Sequence, residues 1–204
     1  MPIKSKPTYT EDEASRILKA SEEAAASSND RGKGHAEGLH ELQAVGKKRA
    51  HTSLSEIEER IVGAEKKTKS GAFDGCQAKA VAWALNTKGG QTALGYLCMD
   101  SVEHVFVSLD IRNGSFRAVN MSVDKTAKAP SGADFVVAPS GVTLTGFLDP
   151  QTGPAGGISM KLMKTAGKDL HIRTAFPLAT APSPPTAQIK YAGKGGIQKQ
   201  DLPV

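Results

Sequence analysis

Cysteine is nearly absent. Cys76 and Cys98 are the only two in 204 residues, too few for a disulfide framework. The first falls in an expected helix and the second in an expected strand, so both read as small buried hydrophobes and not as a bridge. No Cys-x-x-Cys occurs and no His-x-x-x-His lies on a helix. His35 and His40, five residues apart, point about 140° away from each other around a helix and do not converge on one ion. A zinc centre is therefore not expected. No Gly-x-Gly-x-x-Gly follows a strand, and neither a Walker lysine nor a Gly-x-Ser-x-Gly elbow is present, which removes support for a nucleotide cofactor or a serine hydrolase. No metal and no cofactor are expected. No run approaches the roughly 18 apolar residues of a membrane span, so no membrane partner is expected. Met1 to Pro7 has lysines but no apolar stretch behind it, and no secretory signal is read there.

What is present suits one domain of ordinary size. Hydrophobic residues make up 39% of the chain, enough for a core, although aromatic residues are only 5%. The 21 glycines and 11 prolines place a real fraction of it in loops or tail. A net charge of +5 and a pI near 9.2 are compatible with a polyanionic partner.

Thr10-Glu11-Asp12-Glu13 fits a capping box and predicts a helix to about Ala26, with Ile17 and Leu18 as its only large apolar residues. So thin a face predicts a peripheral helix, followed by a linker from Ser27 to Gly34. His35, Leu39 and Leu42 recur at helical spacing, and Lys47-Lys48-Arg49 follows as a basic loop. Ser53-Leu54-Ser55-Glu56 is a second capping box, opening a helix that ends near Lys66. Asp74 can cap a third helix through Ala78, Val81, Ala82 and Leu85, which Gly89-Gly90 stops. From Gln91 the period becomes alternating. Val105, Val107, Leu109 and Ile111 share one face of a strand, and Asn113-Gly114 predicts a hairpin into Ser115 to Val123. Phe135 to Val137, Val142 to Leu148, Ile158 to Lys164 and Leu170 to Phe176 are further strands. After Pro177 the composition reads as a disordered tail. The expectation is an α+β fold, with N-terminal helices packed on a C-terminal antiparallel sheet.

The remaining chemistry is metal-free acid–base chemistry. RNA carries its own nucleophile, so an enzyme need only deprotonate the 2′-hydroxyl, protonate the leaving 5′-oxygen and neutralise a phosphorane. Histidine suits the first two tasks, and lysine, arginine or hydroxyl donors the third. His35, the Lys47-Lys48-Arg49 cluster, His171, Arg173 and Thr174 are such groups. By alternation Leu170, Ile172, Thr174 and Phe176 share the core face of the last strand, while His171, Arg173 and Ala175 share the other. In a regular strand Thr174 and His171 cannot serve one site. His40 reads as structural or exposed, His51 as a surface residue and His104 as a satisfied sheet histidine.

Gly34-His35-Ala36, with His40 five residues beyond His35 and a helix through Glu56-Ile57-Glu58-Glu59-Arg60, resembles the opening of the bacterial pancreatic-ribonuclease-like toxin domains of contact-dependent inhibition and other polymorphic toxins. Ser70-Gly71-Ala72-Phe73-Asp74 and the helix after it resemble that family's Ser-x-Phe element. Thr174-Ala175-Phe176-Pro177 resembles its closing hairpin. The resemblance spans Lys33 to Pro177 and divides the chain into an N-terminal helix and linker (1–32), a toxin domain (33–178) and the tail (179–204). It implies a kidney-shaped α+β fold and a metal-independent endoribonuclease acting through a 2′,3′-cyclic phosphate; a monomer is expected. His35 matches the catalytic histidine, Thr174 the hydroxyl donor, and Phe176 an aromatic that is tyrosine in some members. Phe176 has no phenolic hydroxyl to donate. Lys47, Lys48 and Arg49 are the candidates for the basic, phosphate-binding residue. The resemblance implies an RNA substrate, tRNA among the candidates, and a neutralising immunity protein. It also implies delivery from a producing bacterium into a target-cell cytoplasm. The rival readings are an ADP-ribosyltransferase toxin, whose residue set cannot be assembled here, and a non-catalytic binding module.

Overall fold

Thr10 opens helix α1 (Glu11–Glu23) with the reciprocal cap that the sequence predicts. The Thr10 backbone N–H donates to Glu13 Oε2 at 3.0 Å, and the Glu13 N–H to Thr10 Oγ1 at 3.2 Å. Ser53 and Glu56 repeat the device at 2.7 and 3.3 Å ahead of helix α3 (Leu54–Val62). The computed structural model describes residues 3, 8–23, 25–27, 30–34, 36–42, 52–62, 69–111, 114, 116–122, 124–126, 135–137, 143–145, 151–193 and 195–204. Among these the fold is mixed α+β. The other helices are α2 (Ala36–His40), α4 (Gln77–Asn86) and α5 (Lys88–Cys98). No helix among the described residues is long and apolar enough to cross a membrane.

A five-stranded antiparallel sheet runs in the order β11 (Leu170–Leu178), β10 (Gly157–Lys164), β4 (Val102–Asp110), β12 (Thr186–Tyr191) and β13 (Gln198–Asp201). A three-stranded sheet orders β3 (Lys69–Phe73), β5 (Arg117–Ser122) and β9 (Gln151–Pro154). Two smaller antiparallel sheets join β1 (Ala25–Ser27) to β2 (Asp30–Lys33), and β6 (Asp124–Thr126) to β8 (Thr143–Thr145) and β7 (Phe135–Val137). One face of the large sheet carries Val105, Val107, Leu109, Ile158, Met160, Leu162, Ile172, Ala175, Ala187 and Ile189. Helices α1, α4 and α5 bury this face with Ile17, Leu18, Val81, Leu85, Leu94 and Leu97.

Five expectations need correction. Helix α1 is no peripheral piece: Ile17 and Leu18 are buried in the main core, and α1 packs on α4 and β11. Gly89-Gly90 does not end the helical region but sits in the first turn of α5, where Thr87 Oγ1 accepts the Gly90 N–H at 3.0 Å. A side chain at Gly90 would collide with the Ala84 carbonyl, and one at Gly89 would lie 2.7 Å from Leu109 Cδ2. The glycines let a second helix turn tightly off the first, and Cys98 ends that helix exposed, not in a strand. Strands β4 and β5 form no hairpin with each other; they belong to different sheets. Asn113 itself lies outside the described residues.

The expected tail is the fifth correction. Strand β12 pairs with β4 on one side and β13 on the other, burying Ala187 and Ile189. Its six-residue alternation is flanked by proline- and glycine-rich turns, and these dominate the composition. A chain ending at residue 180 is expected to lose its cooperative unfolding transition, because an inner strand is missing. Ile189→Ala should lower stability by about 2–5 kcal/mol. Chemical denaturation followed by circular dichroism checks both, and unchanged transitions would restore the tail reading.

The second capping box carries a pH dependence. The Ser53 backbone N–H, and then the Ser53 hydroxyl, hold the Glu56 carboxyl below the ordinary glutamate range. A carboxyl lowered on folding adds stability that is present above its unfolded value of about 4.3 and lost as pH falls through the lower folded value. Glu56→Gln is therefore expected to flatten the thermal midpoint against pH below about 4.3. Identical acid limbs in parent and variant would exclude the effect.

Candidate functional site

Strand β11 is the edge of its sheet, so its outward backbone groups need partners from elsewhere. Two helices supply them. Ser21 Oγ, near the end of α1, accepts the Ile172 N–H at 2.9 Å and donates to the Ile17 carbonyl at 2.7 Å. Gln77, the first residue of α4, donates from Nε2 to the Ala175 carbonyl at 2.8 Å and to the Ala36 carbonyl at 2.7 Å. Its own backbone N–H is taken by Glu41 Oε2 at 3.0 Å, a carboxylate at a helix N-terminus. Gly34 closes the arrangement, its N–H donating to the Ser21 carbonyl at 2.7 Å. A Cβ at 34 would lie 2.7 Å from that oxygen and 3.1 Å from the Ile172 carbonyl. The glycine of Gly34-His35 is thus required by its close approach to Ser21 of α1, with Ile172 of β11 next nearest.

The register of β11 contains a bulge. Leu162 pairs with Ile172 and Lys161 with Thr174, leaving Arg173 as the extra residue. Alternation restarts after it. Ile172 and Ala175 face the core, while His171, Thr174 and Phe176 all face away from it, with Met163, Lys161 and Ser159 of β10. Two expectations are thereby corrected: Thr174 and Phe176 are not on the core face, and His171 shares their face. The next strand extends these rows with His104, Phe106 and Ser108.

Thr174 therefore stands opposite Lys161, which stands opposite Phe106. The Thr174 hydroxyl is buried and has no hydrogen-bond partner among the described residues. Phe176 lies between two rings, with its centroid 5.4 Å from His40 and 6.2 Å from Phe106. His40 is buried, and its Nδ1 is 2.9 Å from the Gly71 carbonyl. A backbone carbonyl there selects the Nδ1–H form and fixes the ring. His171 is buried on the same face as Thr174. His35, Lys47, Lys48, Arg49 and His51 lie outside the described residues. Of the sequence-derived site, Thr174 and Phe176 are seen, and they stand together.

Beyond Phe176 the two sheets meet around a cleft of about 220 Å³. Its walls include Lys69, Asn120, Ser122 and Gln151 from the small sheet and, at the end of β11 and just past it, Phe176 to Ala179. Sequence reasoning passed over Gln77, Lys161 and Asn120, because each is an ordinary polar residue until the register places it. Cys76 is half-buried, not fully buried as expected. Burial pushes its thiol up, and its Sγ contacts the Arg117 carbonyl at 3.2 Å, so it is no activated nucleophile. Among the described residues no three His, Cys, Asp or Glu gather as a metal site. Comparison with protein-family models, curated proteins and solved structures found no match.

Gln77→Leu is the direct test of the tether. The variant keeps side-chain volume but strands two buried carbonyls, each costing about 1–3 kcal/mol. A loss of about 2–4 kcal/mol is expected by chemical denaturation, with β11 amides exchanging faster with solvent deuterium than those of β4. Uniform exchange across both strands would show that the tether does not hold β11.

Proposed function

We propose that the chain is a metal-independent ribonuclease domain of the bacterial pancreatic-ribonuclease-like toxin class. In this reading it is made by one bacterium, acts in the cytoplasm of another and is neutralised by an immunity protein. The kidney-shaped arrangement of that class is part of the proposal. The observation that carries it is the bulge at Arg173, which turns the Thr174 hydroxyl to the face of Lys161 and Phe176 without a partner of its own. Buried polar groups are normally paired, so an unpaired hydroxyl beside a cation suits a donor kept for an anionic ligand.

In the proposed reaction His35 takes the proton of the RNA 2′-hydroxyl. The 2′-oxygen bonds to phosphorus and the 5′-oxygen leaves, giving a 2′,3′-cyclic phosphate and a 5′-hydroxyl. Thr174 donates to a non-bridging oxygen as charge builds there. Lys161, with one of Lys47, Lys48 and Arg49, offsets the charge of the phosphorane. His40, oriented by the Gly71 carbonyl, returns a proton to the departing oxygen. Gly34 is bonded to Ser21 and Ala36 to Gln77, the two residues that also bond Ile172 and Ala175 of β11, and this supports a role for His35 in this site.

Total RNA incubated with the purified protein should be cut in the presence of chelator, leaving cyclic-phosphate ends. His35→Ala should abolish cutting. Thr174→Val should slow it about 10²–10³-fold, the usual cost of one anion-stabilising donor. Its thermal midpoint should be unchanged or raised, since the hydroxyl gains nothing from the fold. Full activity in His35→Ala, or cutting that requires a metal ion, would overturn the proposal. NAD-dependent labelling of a target would replace it with the transferase reading.

A further inference from the structure

The cleft between the sheets has a sided chemistry. Cross-strand partners share a face, and the pairing places Gly71, Asn120 and Gln151 in one row and Lys69 and Ser122 in the next. These rows form the wall of the cleft on the small sheet. Phe73 and Ala118, farther along the same face, enter the main core. The cleft is thus the open end of an otherwise buried interface, closed on the other side by Phe176 to Ala179.

Gly71 is what gives the row its shape. A Cβ at 71 would lie 2.6 Å from Asn120 Oδ1 and 2.9 Å from the Val119 carbonyl. The Asn120 amide therefore lies across the glycine and is set against backbone, while Gln151 flanks it one strand over. Two carboxamides on neighbouring strands bring donor and acceptor groups to one wall, and Phe176 stands on the opposite wall. At about 220 Å³ the space is smaller than the roughly 300–1,000 Å³ of pockets for drug-sized ligands, which suits a single planar ring system.

We propose that this cleft binds one unpaired nucleobase of the substrate, read on its edge by Asn120 and Gln151 and contacted on its face by Phe176. Carboxamides pair bidentately with base edges, adenine most directly, and unstacked bases of single-stranded RNA rest on aromatic rings. Ser122 and Lys69 lie beside the row, where they can meet the sugar and phosphate of the same nucleotide. The inference rests on the ribonuclease reading for its substrate class. Phe176 links the two places, standing at the cleft and beside Thr174 in the same strand.

The test uses four oligonucleotides that differ only in the bases flanking the cut, together with mononucleotide titration followed by NMR. The protein should prefer one base by about tenfold to a hundredfold, the range that stacking and edge contacts supply. Gln151→Ala, on the exposed strand β9, and Asn120→Ala should lose this preference, cutting the favoured oligonucleotide no faster than the disfavoured ones. Adenosine monophosphate should shift the side-chain amide signals of Asn120 and Gln151. Should Asn120→Ala fail to fold, Gln151→Ala and the titration decide. A base preference that survives the substitution, with no amide shift, overturns the proposal and leaves the ribonuclease reading standing. Amide shifts in a protein that cuts no RNA would uphold the cleft and overturn the ribonuclease reading.

Discussion

The outer edge of β11 has no strand beside it, and two side chains supply what a strand would. Ser21 takes the Ile172 N–H and Gln77 caps the Ala175 carbonyl. Everything placed around the site follows from this pair. Gln77 also holds the Ala36 carbonyl, so α2 cannot drift from β11, and α2 ends in the His40 ring that rests on Phe176. Gln77 is held in turn through its backbone by Glu41, whose own backbone pairs with Phe73 of the small sheet. Two sheets, three helices and the site thus share one short chain of buried polar contacts. Such contacts resist being broken singly, because each strands a group that water cannot reach.

The bulge and the edge contacts belong together. Ser21 and Gln77 bind β11 on either side of Arg173 and Thr174, where the strand has one residue more than its partner. An extra residue reverses which side chains face the core. The reversal allows Ala175, a small residue, to enter the core and moves Thr174 and Phe176 out of it. Strict alternation put Thr174 on the core face because nothing in Leu170 to Phe176 marks the bulge. The mark lies in β10 and in two helices far away in the chain.

What was legible in the sequence was local. The capping boxes at Thr10 and Ser53 close as read, since each needs only residues three apart. The face of Val105, Val107 and Leu109 is buried as its period demands, and Ile158 to Phe176 pairs as an antiparallel hairpin. The failures all depend on distant partners. Gly89-Gly90 looks like a stop until Ala84, Leu109 and Pro203 show that the space is needed. Ala187 and Ile189 look too sparse for a strand until β4 offers a wall to bury them. Of the site, Thr174 could be singled out from its hydroxyl and Phe176 from the resemblance of the Thr174-Ala175-Phe176-Pro177 ending, whereas Asn120 gains meaning only from a glycine on the neighbouring strand.

The two faces of the large sheet are under different constraints. The helical face carries aliphatic side chains and alanine, and its packing tolerates little change in volume. The opposite face holds buried Ser159 and His171 beside half-buried Thr174, Lys161, His104, Phe106 and Phe176. There the Thr174 hydroxyl costs stability, because a valine of the same shape would leave no polar group unpaired. Gly71 likewise forgoes strand propensity to admit the Asn120 amide. Both departures lie within a few residues of Phe176 in space or sequence, and neither helps the fold. Local sacrifices of this kind gather where a surface is shaped for something other than its own core. In this protein they gather at the junction of the two sheets.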